Sequence, residues 1–287
     1  MCNPPIHRLP RLASVPTTLT LSLILLLITN VSAQTLKVLH NFDVAAGDGN
    51  IPYSGLIKDP AGNLYGTTLE GGAHSFGTVY RLSPTGNGDF EETILYSFKG
   101  GPVDGANPHP PLFRDGGTPN FGIVFKLMPQ TSGAWSEKIL HTFQGGADGA
   151  KPLAGVVLDG SGNVYGTSNI GGTGRYGTVF KLSAAKGYAK TILHDFSLSD
   201  VAVAYPNGLI FDASGNLYST TAYAAFKLTP EATGWSETLI WRWNNSLDGV
   251  QIFAPVTMDT EGNLWGTTTW GGTAGDTSGG VAFEATP

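Results

Sequence analysis

A nine-residue phrase that begins with Asp and ends with Thr recurs along this chain. Its four copies are residues 59–67 (DPAGNLYGT), 159–167 (DGSGNVYGT), 212–220 (DASGNLYST) and 259–267 (DTEGNLWGT). A phrase that returns at intervals of roughly 50 residues is typical of repeat proteins, in which each copy is one supersecondary unit and stacked copies share a core. The phrase therefore constrains the fold, whereas the sequence shows no catalytic signature.

Each repeat contains four segments in which apolar and polar residues alternate, as they do in half-buried strands. Strand A covers residues 54–59, 110–115, 154–159, 207–212 and 254–259, and its second residue is always Gly or Pro. This choice fits a strand packed tightly near a common axis. A Gly-Asn turn then leads into strand B, which covers residues 63–68, 163–168, 216–221 and 263–268.

Strands C and D complete the unit. Strand C covers residues 77–83, 122–128, 177–183, 223–229 and 280–286, and strand D covers residues 37–42, 93–98, 138–143, 191–196 and 238–243. Four antiparallel strands per repeat make the meander of a propeller blade. We therefore predict an all-β chain that forms a five-bladed β-propeller of four-stranded sheets.

Two repeats are degenerate, and the two ends of the repeat region complement each other. The second repeat has lost strand B, because only residues 116–120 separate strand A from Phe121, and the fourth has only Ala222 between strands B and C. The region begins on a strand-D segment (37–42) and ends on a strand-C segment (280–286). We predict that residues 37–42 form the outer strand of the last blade and close the ring, which leaves no free sheet edge.

The first 33 residues have the features of a signal peptide. His7, Arg8 and Arg11 form a basic region, residues 19–28 form a short apolar run, and residues 31–33 (VSA) supply a cleavage site after Ala33. The run is shorter than the ~20 residues that a spanning helix needs. We expect a secreted mature chain, 34–287, that folds as a single repeat domain without a membrane span. An uncleaved N-terminal anchor is the alternative.

The charge balance argues against two classes of partner. The 16 basic residues less the two arginines of the signal segment leave 14 against 22 acidic ones, a formal net charge of −8 for the mature chain. Such a balance disfavours nucleic acid and anionic membrane surfaces as partners.

At these repeats the chain resembles the Gloeo-Verruco tandem repeat of bacterial extracellular proteins. The resemblance lies in GNLYGT, a Gly-Gly loop and GTVFKL, at residues 62–82 and 162–182 and more loosely at 262–285. It implies a secreted or surface-displayed repeat protein with a β-propeller-like fold, and it brings no catalytic residues.

One position of strand D holds a ring in every copy: His40, Tyr96, His141, His194 and Trp241. Three histidines at equivalent positions would suit a metal cluster, but tyrosine and tryptophan do not preserve imidazole ligation. We interpret the position as packing of a flat ring, and we expect neither a metal nor a cofactor there.

The Asp-x-x-Gly-Asn turns between strands A and B resemble calcium loops. A helix-loop-helix calcium site wants a glycine sixth and a carboxylate twelfth. Val164 and Ile170 stand at those places after Asp159. Aspartates that cap their own turns explain the pattern better, and calcium is the one cofactor left open.

One end of the predicted propeller is the candidate ligand face, because the D-to-A and B-to-C connections emerge there together. The D-to-A connections carry Asp48, Asp104, Asp148 and Asp248, each followed by Gly, and the Gly-Gly loops carry Phe76, Tyr176 and Trp270. Carboxylates around one opening would attract cations. Asp-Gly as ordinary turn chemistry and the aromatic residues as packing are the alternatives.

Two functions of different classes fit these residues. We expect a non-catalytic extracellular binding module for an unknown polysaccharide or protein, and therefore not an enzyme. The alternative is a secreted glycan-active enzyme, a glycosidase or lyase, since such enzymes use clustered carboxylates. Fold alone does not decide between them.

Overall fold

The computed structural model describes residues 36–43, 47–52, 54–101, 104–106, 108, 121–198, 205–243, 249, 251–272 and 279–286. The predicted signal peptide, the strand-A segment 110–115 and Asp248 lie outside these residues. The chain divides into two compact units, Met1–Leu39 and His40–Pro287. Only residues 36–39 of the first unit are described, and they are not in a strand.

The second unit is all-β and consists of antiparallel sheets that follow one another along the chain. The first repeat contains β1 (Gly49–Asn50), β2 (Ile57–Lys58), β3 (Leu64–Thr68), β4 (Glu70–Gly71), β5 (Thr78–Pro84) and β6 (Phe90–Ser97). The second contains β7 (Ile123–Pro129) and β8 (Trp135–Thr142). The third contains β9 (Val157–Leu158), β10 (Val164–Ser168), β11 (Thr178–Ser183) and β12 (Ala189–Asp195). The fourth contains β13 (Ile210–Phe211), β14 (Leu217–Thr220), β15 (Ala224–Glu231) and β16 (Gly234–Arg242), and the fifth contains β17 (Thr257–Met258), β18 (Leu264–Thr267) and β19 (Ala282–Ala285).

The sheets have the predicted A-B-C-D order. Four-stranded sheets are β2-β3-β5-β6, β9-β10-β11-β12 and β13-β14-β15-β16, whereas β7-β8 is a hairpin and β17-β18-β19 has three strands. The fourth repeat is a complete sheet although its B-to-C loop is short. Short 3-10 helices at Gly146–Asp148 and Ala184–Lys186 interrupt the described connections.

Strand A is shorter than predicted, because side chains replace part of its backbone pairing. In the first repeat only Ile57–Lys58 forms a ladder with strand B. Ser54 Oγ accepts a hydrogen bond from Thr67 N at 2.9 Å, where a regular ladder would use a backbone carbonyl. This side-chain bond takes the place of a backbone ladder bond at Ser54, three residues before β2 begins.

The described structure assigns no strand to residues 37–42, so closure of the ring by these residues stays a prediction. Residues 36–43 have no strand assignment, and in the described structure β18 is the one partner of β19. β19 has four residues, whereas the C strands of the other repeats, β5, β7, β11 and β15, have six to eight. Because β19 is short, it can form few hydrogen bonds with an outer strand.

A β-bulge shifts the register of every described C–D pair. The shift lies between Val79 and Tyr80 in the first repeat, and at equivalent points in the next three. It leaves one extra residue on strand D, so that Glu92 and Tyr96 face opposite sides of the sheet. A bulge re-aims side chains in this way.

Aromatic pairs join each repeat to the next. The last ring of strand D contacts the strand-C ring of the following repeat edge-on or tilted, with centroids 4.7–5.4 Å apart: Phe42–Tyr80, Phe98–Phe125, Phe143–Phe180, Phe196–Phe226 and Trp243–Phe283. Phe98, Phe143 and Phe196 are fully buried. The core of each repeat is thus completed by its neighbour, as stacked repeats require.

Candidate functional site

A polar cluster recurs between consecutive repeats, in what we call the seams. Each seam combines the strand-D ring of one repeat, the aspartate of the following connection and a residue of strand D in the next repeat. Seam 1 contains His40, Asp48 and Glu92, seam 2 contains Tyr96, Asp104 and Glu137, and seam 3 contains His141, Asp148 and Lys190. In the next seam His194 Nε2 lies 3.4 Å from Glu237 Oε2, and its connection lies outside the described residues.

Local backbone amides hold the aspartate of each seam. Asp48 Oδ2 accepts from Asp43 N at 3.1 Å, and its Oδ1 accepts from Gly49 N at 2.5 Å. In seam 3, Gln144 N donates to Asp148 Oδ2 at 2.8 Å. In seam 2, Lys99 N donates to Asp104 Oδ2. The aspartates therefore build the connections in which they lie, which supports the turn-chemistry alternative.

Burial limits what these aspartates can offer a ligand. Asp48 and Asp104 are each 8% exposed, and Asp148 is partly exposed. Backbone and seam partners therefore occupy the carboxylates of Asp48, Asp104 and Asp148, three members of the predicted acidic opening. Asp248 lies outside the described residues.

The strand-D rings pack as predicted, and they also have a polar partner that the sequence analysis missed. His40, Tyr96 and His141 each lie edge-on to the Phe two residues later, at 4.7–5.2 Å. His40 Nε2 lies 2.8 Å from Asp48 Oδ2, and His141 Nε2 lies 3.1 Å from Asp148 Oδ2. Tyr96 donates to Asp104 Oδ1. The signal in the sequence was an Asp-Gly pair seven or eight residues after the ring, which follows every strand-D ring except His194.

The residue that strand D of the next repeat contributes to each seam determines the charge of that seam. In seam 1, His40 Nε2 lies 3.6 Å from Glu92 Oε2, and burial and the neighbouring Asp48 raise the pKa of Glu92 to about 7. In seam 2, burial and Asp104 likewise raise the pKa of Glu137 to about 7. Seams 1 and 2 therefore each place two carboxyl groups together at a cost in desolvation.

Seam 3 has a cation where the other two have a glutamate. Lys190 Nζ lies 3.0 Å from Asp148 Oδ1, donates to the backbone oxygen of Asp148, and lies 4.5 Å from the centroid of the Phe143 ring. Burial lowers the pKa of Lys190 and Asp148 raises it, with burial the larger effect. Although burial opposes it, the Gln144 amide and the Lys190 ammonium lower the pKa of Asp148.

The A-to-B turn aspartates are fully used inside the turn. Asp59 Oδ1 accepts from Asn63 N at 2.9 Å, and Oδ2 accepts from Asn63 Nδ2 at 2.8 Å and from Tyr65 OH at 3.1 Å. The same set recurs at Asp159, Asp212 and Asp259, with Trp265 Nε1 in place of tyrosine in the last. These bonds support the capping interpretation over a calcium loop.

The D-to-A and B-to-C connections are hydrogen-bonded to each other, as the candidate ligand face requires. β1 pairs with β4 in the first repeat, and Ala150 bridges Ile170 in the third. In the fifth, Thr269 N donates to Gln251 O at 2.9 Å. Gln251, which accepts this last bond, has a left-handed backbone conformation. Residues at the equivalent positions of other repeats share it, with φ between 57° and 59°: Ile51, Lys151 and Tyr205.

The three loop aromatics are placed differently. Tyr176 packs against the core that joins the third and fourth repeats. Phe76 is 42% exposed and lies against Gly100, where an added Cβ would come within 2.8 Å of its ring. Trp270 is 45% exposed. Packing against the core explains the position of Tyr176, whereas the rings of Phe76 and Trp270 are partly exposed to solvent.

Comparison with known proteins adds a repeat family and remote structural likenesses. A family model of the Gloeobacter/Verrucomicrobia repeat matches residues 111–287. A search of curated protein sequences returns no match. In the part of the chain that the structure describes, we find no helix with the length and hydropathy needed for a membrane crossing.

Solved structures resemble the chain at low identity. Virginiamycin B lyase from Staphylococcus aureus is 13% identical with a TM-score of 0.45, over 82% of this chain and 69% of that one. The extracellular domain of a hybrid two-component system from B. thetaiotaomicron is 15% identical with a TM-score of 0.43, over 75% of this chain and 26% of that one. These values support no conclusion about the activity of this chain.

Proposed function

The chain belongs to the Gloeobacter/Verrucomicrobia repeat family, and on this premise we propose that it is a secreted or cell-surface, five-bladed β-propeller that binds an extracellular polysaccharide or protein without catalysis. Export follows from the predicted signal peptide, and mass spectrometry of exported protein should find Gln34 at its N-terminus. An intact Met1 would contradict cleavage.

The starts of three successive A strands support the propeller. An added Cβ on Gly208 in the fourth repeat would lie 3.1 Å from Pro255 Cβ in the fifth and 3.8 Å from Ala154 Cβ in the third. Inner strands of a propeller converge in this way around the axis. Gly55 and Gly155 have no such neighbour within 4 Å among the described atoms, so the crowding concerns the fourth repeat.

The register of the other sheets supports closure by residues 37–42. Arg81 pairs with Thr93, and Lys181 pairs with Thr191. If the last blade has the same register, Glu284 pairs with Lys37. The strand-C position then holds an acidic residue where other repeats have a basic one, and the opposite strand-D position holds a lysine that can pair with it. An opposite-charge cross-strand pair contributes about 0.2–1 kcal/mol.

The observation that carries the binding function is the exposure of Phe76 and Trp270 on loops that are hydrogen-bonded to the D-to-A connections. Exposed aromatic side chains on fixed loops are the anchors that binding surfaces use. The repeated aspartates nearby are engaged in turns and seams, so no described carboxylate on this face is set apart as a catalytic acid.

The second candidate, a glycan-active enzyme, is favoured by the raised pKa of Glu92 and Glu137, because an acid catalyst needs such a carboxyl group. A glycan-array screen of the purified mature chain, with and without calcium, followed by product analysis of each bound glycan, separates the two. Binding without turnover supports the module. Turnover that is lost in Glu92→Gln or Glu137→Gln supports the enzyme.

A further inference from the structure

Seam 1 gathers three metal-ligating side chains at one point between the first strand-D segment and the first sheet. One ligand atom each from His40, Asp48 and Glu92 lies within 4.8 Å of the other two. His40 is one-fifth exposed, while Asp48 and Glu92 are mostly buried. The cluster therefore has a fixed interior and a route from solvent past the imidazole.

One oxygen of the Glu92 carboxyl group lacks a partner among the described protein groups. This atom, Oε1, is buried and has no hydrogen-bond partner among the described residues. The titratable groups that act on the Glu92 carboxyl group, in the part of the chain that the structure describes, are Asp48 and His40. Two carboxyl groups beside one imidazole concentrate negative charge at one point, which is costly when it is buried without a cation.

Seam 3 shows which kind of group balances the charge of the His–Asp pair. Seam 3 has the same His–Asp pair, with the same bond from the amide three residues after the ring. There the residue equivalent to Glu92 is Lys190, and its ammonium binds Asp148 through both the carboxylate and the backbone oxygen. The seam thus holds a cation supplied by the chain itself, whereas seam 1 replaces that cation with a further ligand.

We propose that seam 1 binds one divalent metal ion of the zinc class through His40 Nε2, Asp48 and Glu92. An imidazole with two carboxylates suits Zn²⁺ or Mn²⁺ better than Ca²⁺, which takes six to eight oxygen ligands. The ion replaces the Lys190 ammonium and neutralises both carboxylates. The amides of Asp43 and Gly49 orient the Asp48 ligand, as outer-shell partners do in metal sites.

The site links residues far apart in sequence, so the bound ion fastens the segment containing His40 to the first sheet. Seam 2 lacks this capacity, because Tyr96 stands in place of the histidine. Asp48 lies on a D-to-A connection of the candidate ligand face, but the proposal does not depend on the binding function, since metal binding needs no glycan.

The test is isothermal titration of ZnCl₂ into untagged, chelator-treated protein, with MnCl₂ in parallel. Wild type should bind one Zn²⁺ per chain and gain in Tm. Glu92→Lys, which introduces the residue of the third repeat, should lose this binding by at least 100-fold. Glu137→Lys, the matched change in seam 2, should bind Zn²⁺ as wild type does.

Glu92→Gln, which keeps the shape of the side chain, should bind at least 10-fold more weakly than wild type and decides the matter if Glu92→Lys fails to fold. Without metal, folded Glu92→Lys should have a Tm no lower than that of wild type, since the ammonium takes the place of the ion. Absence of stoichiometric Zn²⁺ binding by wild type, wild-type affinity in the Glu92 variants, or a lower Tm of metal-free Glu92→Lys would each overturn the proposal.

Discussion

Glu92 and Tyr96 lie four residues apart on β6 and face different seams. Glu92 lies against His40 and Asp48, whereas Tyr96 donates a hydrogen bond to Asp104. In a regular strand, residues four apart share a face. The bulge between Val79 and Tyr80 separates them, and so one strand contributes to the polar clusters on both sides of its sheet.

The aromatic pairs between repeats should dominate stability. Phe143→Ala removes a fully buried ring that contacts Phe180 and His141, and it should lower the free energy of unfolding by about 3–5 kcal/mol. Leu158→Ala, at an exposed strand position, is the control and should change it by less than about 0.5 kcal/mol. Urea denaturation measures both, and equal effects would contradict a shared core.

Seam 2 should make stability depend on pH. Burial and Asp104 raise the pKa of Glu137 from 4.5 to about 7, so the folded protein holds this proton more tightly than the unfolded chain. The unfolded chain therefore binds fewer protons between these values, and the free energy of unfolding should fall as pH rises from about 4.5 to about 7. Tyr96, whose pKa burial and Asp104 also raise, titrates above this window.

Glu137→Gln should remove that share of the pH dependence. Its Tm should match that of wild type near pH 4 and exceed it at pH 8, because the amide needs no proton to remain neutral. Glu91→Gln, at an exposed position of β6, is the control and should follow wild type at both values. A Glu137→Gln profile parallel to that of wild type would contradict the seam chemistry.

Gly77, Gly122 and Gly177, which precede the C strands of the first three repeats, should tolerate no side chain. In Gly177→Ala the new Cβ would lie 2.5 Å from Ser168 O and 2.8 Å from Pro206 Cδ, at a φ of 102°. Gly262→Ala has a similar φ of 93° and nothing within 4 Å among the described atoms. The control should cost about 1–2 kcal/mol through its left-handed backbone. Gly177→Ala should cost a further ~1–3 kcal/mol from overpacking, measured by denaturation.

Ring closure should be visible as a coupling between Lys37 and Glu284. Lys37→Glu and Glu284→Lys should each destabilise the protein, and the double exchange should restore stability. The coupling free energy should be about 0.2–1 kcal/mol if the two residues are directly opposite. The double-mutant cycle is best run at low salt, and a coupling of zero would contradict closure by residues 37–42.

The repeated phrase was sufficient to predict the sheets, because alternation and Gly-Asn turns are local signals. The phrase did not reveal the bulge after Val79, since the extra residue, Leu95, is apolar like its neighbours. Seam 1 was also hidden. Its members are eight and 44 residues apart, and only the packing of one sheet on the preceding strand brings Glu92 to His40 and Asp48.

The central claim is that the face formed by the joined loops binds a ligand without altering it. The most direct test is affinity for a glycan found on the array, compared between Trp270→Ala and Trp265→Ala. Both tryptophans are 45% exposed, but Trp265 lies beside the A-to-B turn, where it donates to Asp259. With Tm values checked, Trp270→Ala should lose about 2 kcal/mol of binding free energy or more, and Trp265→Ala should bind as wild type does, with no product formed. Undiminished binding by Trp270→Ala, or conversion of the glycan by wild type, would contradict the account.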